Sequence, residues 1–372
     1  MPVHYHLGKF PPPELDWPKL IPLIGPANAG LARYDGLLSA IPNAQVLLSP
    51  LTTQEAVLSS KIEGTHVTIG EVLEIEAGGE SERFTQPKRE DAEEVLNYRK
   101  AMRVCVSEMK HRPLSQHLLR SAHNLLMQGV RGRDKAPGSY RLEQNWIGPK
   151  GCTIEEASFV PVAMEHLQYG MDSWEQYLGS GVEPDKLTQL AILHVEFEAL
   201  HPFKDGNGRL GRMLLPLFLY QHKLLASPDF YMSGYLEAHR EEYQERLRAV
   251  SRDGDWTGWC AFFLKGVQQQ ASENERKARE ILRLYERLKV EVVEFTHSQH
   301  SIRAVDFIFQ SPIFTAPLFT NHSEIPKPTA ARILSLLRDK GILITIREGK
   351  GRRAGIYAFR ELLNIAEGQD VF

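Results

Sequence analysis

The sequence predicts a mainly α protein of more than one domain, its few strands confined to a short internal hairpin and a small C-terminal module. Apolar residues recur at helical spacing in segment after segment between residues 52 and 288. Strand-like runs are short and few, at 144–147, 152–154, 342–346 and 355–359. The chain has 372 residues, more than one hydrophobic core normally organises, so two or three domains are expected.

The first fifty residues carry Pro11, Pro12, Pro13, Pro18, Pro22, Pro26, Pro42 and Pro50. Proline removes an amide donor and restricts its predecessor, which predicts an extended or broken segment laid over a core, with room for a helix at 27–40. In the next helix, 52–63, Thr52 or Thr53 caps the start and Gly64 stands at the end. The polar stretch 77–88 reads as an exposed loop, followed by helices at 89–110 and 114–128. Gly132, Pro137, Gly138, Gly148, Pro149 and Gly151 mark 131–151 as a loop leading into the strand pair 144–147 and 152–154. Helices resume at 162–178, 185–200, 209–222, 237–251 and 256–288. Near the end, 301–310 is helical and 312–319 a connector. Residues 326–340 form a helix with Ala331, Ile333, Leu334, Leu336 and Leu337 as its apolar face, and two strands flank the loop REGKGRRA. Helix, turn, helix and basic hairpin is the order of a winged helix-turn-helix.

Composition narrows the function classes. With 42% hydrophobic and 24% charged residues the chain is ordinary for a globular protein, which argues against disorder, collagen-like repeats or a coiled-coil rod. A net charge of −3 means that any nucleic-acid contact must come from a local patch. The longest apolar runs, such as 213–220, fall far short of the ~20 residues that cross a bilayer, and the start MPVHYHLGKF lacks the pattern of a signal peptide. Cys105, Cys152 and Cys260 are too few and too scattered for a disulfide framework or a zinc module. No membrane partner is expected, and the expected setting is the cytoplasm.

The informative segment is 201–212, HPFKDGNGRLGR. Gly206, Asn207 and Gly208 stand just before a helix whose first turns contain Arg209 and Arg212. Glycines there let backbone amides approach a ligand, and the helix N-terminus adds unpaired N–H groups and partial positive charge. Arg209 and Arg212 project from one helical face, so two guanidiniums over an amide nest make a polyphosphate site. Asp205 is suited to a divalent cation beside phosphates, and His201 to moving a proton at neutral pH. A bare GNG is usually only a turn; the conjunction of His, Asp, GNG and two spaced arginines is what points to chemistry. His194, Glu198 and His201 also share a helical face, but a zincin needs His-Glu-x-x-His, which this spacing does not supply.

This segment resembles the signature of the Fic family, HPFx(D/E)GNGRxxR, and every specified position matches. The resemblance implies an all-α Fic core with a small β-hairpin flap, and transfer of AMP from ATP, with Mg2+, to a Ser, Thr or Tyr hydroxyl of a protein. It implies His201 as general base, Asp205 as magnesium ligand, Gly206, Asn207 and Gly208 as the anion hole, and Arg209 with Arg212 on the phosphates. Within SSKIEG, Ser59, Glu63 and Gly64 match the family's inhibitory pattern (S/T)xxxE(G/N), whose glutamate pairs with the second motif arginine, here Arg212. Residues 140–148 correspond to the flap, with Asn145, Trp146, Ile147 and Gly148 nearest the nucleotide. Tyr243 falls where the family commonly has a tyrosine near adenine. In the C-terminal hairpin, Arg347, Lys350, Arg352 and Arg353 are candidate DNA-phosphate contacts, although a charged hairpin is often only a solvated turn and winged helices also dock proteins or dimerise.

The expected division is an N-terminal segment with the inhibitory helix at 1–110, a catalytic core at 111–270, and a linker helix with winged helix-turn-helix at 271–372. A homodimer is expected through the last part. Two alternatives to adenylylation stand: a DNA-binding regulator whose core senses nucleotide, and an enzyme that removes AMP with Glu63 orienting water.

Overall fold

Helices dominate the structure, as the apolar spacing predicts, and the described residues include only short strands. The structure is a computed structural model that describes residues 1–41, 43–78, 83–129, 134–349 and 353–371, apart from the side chain of Gln45. Two units cluster separately. The first comprises Met1–Asp35, Leu58–Gly64 and Asn97–Ser272, the second Gly36–Val57, Thr65–Leu96 and Glu273–Phe372.

The first unit is built around two antiparallel neighbours in sequence, the helices Lys186–Leu200 and Asn207–Gln221, buried along nearly their whole length. Asp185 caps the first by accepting from the Thr188 amide at 2.7 Å. The buried indoles of Trp174 and Trp259 fix that helix from two sides by donating to the carbonyls of Leu193 and Ala191. The helix stops at His201, which takes the left-handed conformation (φ 48°) before Pro202 forbids another turn. Gly206 (φ 76°) opens the second helix.

Two expectations for this unit are corrected. Trp17–Ala40 is one helix despite Pro22 and Pro26 inside it. These prolines stand four apart on its exposed face, while Leu20, Ala27, Leu31 and Tyr34 bury the other face. The flap does not pair 144–147 with 152–154; Ile147 bridges Phe159 instead. Turn bonds, Cys152 N–H to Pro149 and Ala157 N–H to Ile154, occupy the backbone groups that the expected ladder would need. Phe159–Val160 also pairs in parallel with Val3–His4. Beyond that strand the chain is pinned: Tyr5 donates to Glu196 (2.6 Å), and His6 bridges Glu196 (2.8 Å) and Ser251 (2.7 Å).

The second unit contains a capping-boxed helix, Ile69–Glu76, in addition to the expected ones. Its C-terminal part runs Ser301–Gln310, strand Ile313–Thr315, helices Ala316–His322 and Lys327–Asp339, then strands Ile344–Arg347 and Ile356–Ala358. The last strand lies between the other two in an antiparallel sheet. The expected connector 312–319 thus supplies a strand and a helix; Phe307 packs edge-on against Phe314 and Phe319, which stack on each other. The buried face of Lys327–Asp339 is Ala330, Ile333, Leu334 and Leu337, with Ala331 exposed instead. No helix among the described residues is long and apolar enough to cross a membrane.

Candidate functional site

The segment His201–Gly208 is clamped from three directions. Asn207, 1% exposed, turns its amide back on Phe203, accepting from its N–H (2.9 Å) and donating to its carbonyl (2.8 Å). His123 stacks on the Phe203 ring with centroids 3.8 Å apart. Its Nδ1 accepts from Gly138 N–H (2.8 Å), so its Nε2–H donates to the Asp205 carbonyl (3.0 Å). Arg141, 2% exposed, donates to the carbonyls of His201 (3.0 Å), Glu143 (3.1 Å), Leu200 and Val162. Asn145 adds a bond to the Phe203 carbonyl (3.2 Å). Sequence alone assigns no role to His123 or Arg141, whose only local signals are a histidine in an amphipathic helix and an arginine at the start of the flap segment.

His201 Nδ1 lies 3.3 Å from the Glu198 carbonyl, which places the ring hydrogen on Nδ1 and leaves Nε2 as a base. Asp205 is half-exposed, and its Oδ1 accepts from Gly206 N–H (2.6 Å) and Arg209 (3.3 Å). Arg212 is buried at 1% exposure. It donates to the Ser59 hydroxyl (2.9 Å), the Ser59 carbonyl (2.7 Å) and Glu63 Oε1 (2.7 Å). Burial pushes the Glu63 carboxyl up, but the Arg212 charge and hydrogen bond, with Arg209 and His201, hold it below the usual range. Gly208 makes room for this pair, since a Cβ there would stand 2.2 Å from Glu63 Oε1. Gly64 (φ 94°) closes the helix Ser49–Ile62 that carries Ser59, and Arg240 donates to the Ile62 carbonyl.

Tyr243 is 2% exposed, packed against His194 and Trp259, with its hydroxyl 2.8 Å from His194 Nε2. Gln244, Leu247 and Arg248 of the same helix line the neighbouring cavity. His194 Nδ1 is bonded to the Gly211 carbonyl (3.0 Å), so both its nitrogens are engaged. Among the described residues no group of three or more His, Cys, Asp or Glu side chains is placed to hold a metal ion. Trp146 is half-exposed and donates to the Cys152 carbonyl (3.0 Å); Ile147 and Gly148 line the cavity. In the second unit, Arg347 donates to the Ala354 carbonyl (3.2 Å) and Arg353 is exposed, whereas Lys350 and Arg352 lie outside the described residues.

Burial depresses three imidazoles, His123 to about 4, His194 to about 3 and His201 to about 4, from an ordinary 6.5. Burial pushes Glu198 the opposite way for a carboxyl, up to about 8. Below pH 6.5 the unfolded chain takes up protons on the three histidines that the folded chain refuses, while Glu198 offsets one of them. Stability is therefore expected to fall as pH drops from 6.5 toward 4.5. Urea midpoints of the full chain that stay level over that range would contradict the buried neutral histidines.

The comparisons with known proteins show the family. The Fic/DOC family N-terminal profile matches residues 21–107 and the Fic/DOC family profile residues 113–219, together just over half of the chain. The chain belongs to the Fic/DOC family. It is 37% identical over 68 residues to a probable protein adenylyltransferase of Aquifex aeolicus, covering 18% of this chain and 21% of that one. It is 32% identical over 84 residues to protein adenylyltransferase fic-1 of Caenorhabditis briggsae, covering 22% and 15%. The matches thus span only a small part of those relatives' lengths. A crystal structure of a Fic family protein from Desulfovibrio desulfuricans shares the fold with a TM-score of 0.58 and 19% identity, covering 94% of this chain and 98% of that one. Fic-1 of C. elegans does so at 0.53 and 16%, covering 73% and 75%.

Proposed function

We propose that the chain is a protein adenylyltransferase that moves AMP from ATP to a Ser, Thr or Tyr hydroxyl of a target protein and is restrained by its own Glu63. The observation that carries this reading is an intact motif whose second arginine is engaged by a carboxylate, Glu63 Oε1 at 2.7 Å. In the transfer the target oxygen bonds to the α-phosphorus and the bond to the α–β bridging oxygen breaks. Pyrophosphate leaves, and the hydroxyl proton passes to His201 Nε2. The amides of Gly206–Gly208 and the guanidiniums of Arg209 and Arg212 take the phosphates. Asp205, a half-exposed carboxylate beside that nest, fits magnesium, which takes one or two carboxylates together with phosphate oxygens. When bound, the ion neutralises phosphate charge.

Incubating the full chain and a cell extract with α-labelled ATP tests the reading by label on protein and release of pyrophosphate. Normal DNA binding with no pyrophosphate released would support the nucleotide-sensing regulator instead. Glu63 is 39% exposed, so water reaches it, and removal of AMP from a pre-modified target by wild type but not by Glu63→Gly would identify the reverse reaction.

The C-terminal elements Ser301–Ala358 we read as a winged helix-turn-helix that targets or pairs the protein; their order and three-stranded antiparallel sheet support this. Residues 1–110, 111–270 and 271–372 then divide as inhibition, catalysis and targeting. Changing Arg352 and Arg353 to Ala is expected to weaken DNA binding on all sequences alike and to lower its salt slope by about 2. Fluorescence anisotropy of the full chain checks this, and no DNA binding by wild type at low salt would remove the idea.

A further inference from the structure

Beside the motif lies a cavity of ≈ 320 Å³, near the lower end of small-molecule sites. Ile147, Phe159, Val195 and Leu247 give it apolar walls. The acid on its surface is Glu198. That residue comes three before His201 and holds the ring through its backbone carbonyl, but its carboxyl has no part in the mechanism so far. The carboxyl is pressed against Gly211, where a Cβ would stand 2.2 Å from Oε1, so only glycine at 211 lets it take this position. Oε1 is buried without a hydrogen-bond partner. Native proteins rarely leave such an atom unpaired, so it calls for a ligand or a water. The same carboxyl feels the charges of Arg212 and Glu63, and burial raises it to about 8, so that it carries a proton to donate at neutral pH.

A nucleoside triphosphate with its phosphates on Gly206–Arg212 and its flat base between the apolar walls must place its ribose between the two. Glu198 belongs both to the cavity wall and to the surroundings of Arg212. We infer that Glu198 is a specificity-determining residue that hydrogen-bonds the ribose hydroxyls and so selects ribonucleotides over deoxyribonucleotides. This rests on the nucleotide reading given above. A vicinal diol offers two donors and two acceptors, which a carboxyl matches in either protonation state.

The test is isothermal titration of ATP, 2′-deoxy-ATP and 3′-deoxy-ATP into the full chain carrying Glu63→Gly, alone and combined with Glu198→Val or Glu198→Gln. The parent should bind ATP about tenfold more tightly than either deoxynucleotide, the scale of a hydrogen bond to a polar or charged group. Glu198→Val should bind all three nearly equally. The near-isosteric Glu198→Gln, whose amide can accept from only one hydroxyl where a carboxyl can accept on both oxygens, should fall between them. Circular dichroism and melting confirm folding, and if Glu198→Val does not fold, the glutamine variant decides by whether its preference narrows. An undiminished preference for ATP in the folded variants overturns the role of Glu198 and leaves the nucleotide reading intact. Failure of the parent to bind ATP overturns both.

Discussion

His201→Ala is expected to lower AMP transfer by ~10²–10⁴-fold, the usual worth of a general base, while leaving ATP binding nearly unchanged. The separation follows from which atoms do what. The groups proposed to bind phosphate begin at Gly206, and the loop before them is held through backbone atoms that the substitution keeps. Arg141 grips the carbonyl of residue 201, not its side chain, and Asn207 and His123 grip Phe203 and Asp205. The imidazole itself makes one weak contact, at 3.3 Å, to the Glu198 carbonyl. Transfer from α-labelled ATP and a nucleotide titration on the same preparation measure the two quantities. Undiminished transfer would mean that another group accepts the proton.

Glu63→Gly is expected to raise AMP transfer, including onto the chain itself, by on the order of 10²-fold, because catalysis by positioning is lost with small displacements. Wild-type Arg212 is held on one side by Ser59 and on the other by Glu63, so it is not free to receive a phosphate. Removing the carboxylate keeps both Ser59 contacts and releases the guanidinium. The backbone at the helix end should accept glycine at a cost of ~1 kcal/mol. A buried guanidinium without its partner costs more, and here bound phosphate supplies the missing charge, so ATP should raise the melting temperature of the variant more than that of wild type. Intact-mass spectrometry with ATP and magnesium reads the added AMP. Equal modification of both folded proteins would sink the inhibitory role and leave His201 untouched.

The helical character and the motif were legible because both are local. Spacing alone places Lys186–Leu200 and Asn207–Gln221, and glycines beside paired arginines announce an anion site. What escaped depends on residues distant in sequence. Nothing near Arg141 or His123 shows that they hold residues 201 to 205, since their partners lie about sixty and eighty positions away. A tyrosine in a helix carries no sign of which way it faces, so the contact of the Tyr243 hydroxyl with His194, forty-nine residues earlier, is not legible in sequence. Trp17–Ala40 was underestimated because proline rules treat each proline singly, whereas Pro22 and Pro26 share one wet face. The flap's return strand lies later, at Phe159, because local turns fold the chain between 149 and 157.

Gly208 has a meaning in mass action as well as in sterics. The space left by its missing methyl, 2.2 Å from Glu63 Oε1 and 2.9 Å from Arg212 Nη1, is a berth for one anion at a time. Glu63 is an occupant that the chain carries covalently to that berth. Its effective concentration is of order millimolar or above and is fixed by the fold, not by how much protein is present. On the reading proposed above, a phosphate oxygen has to compete with a rival that dilution never removes, and suppression per molecule is expected to be the same at every protein concentration.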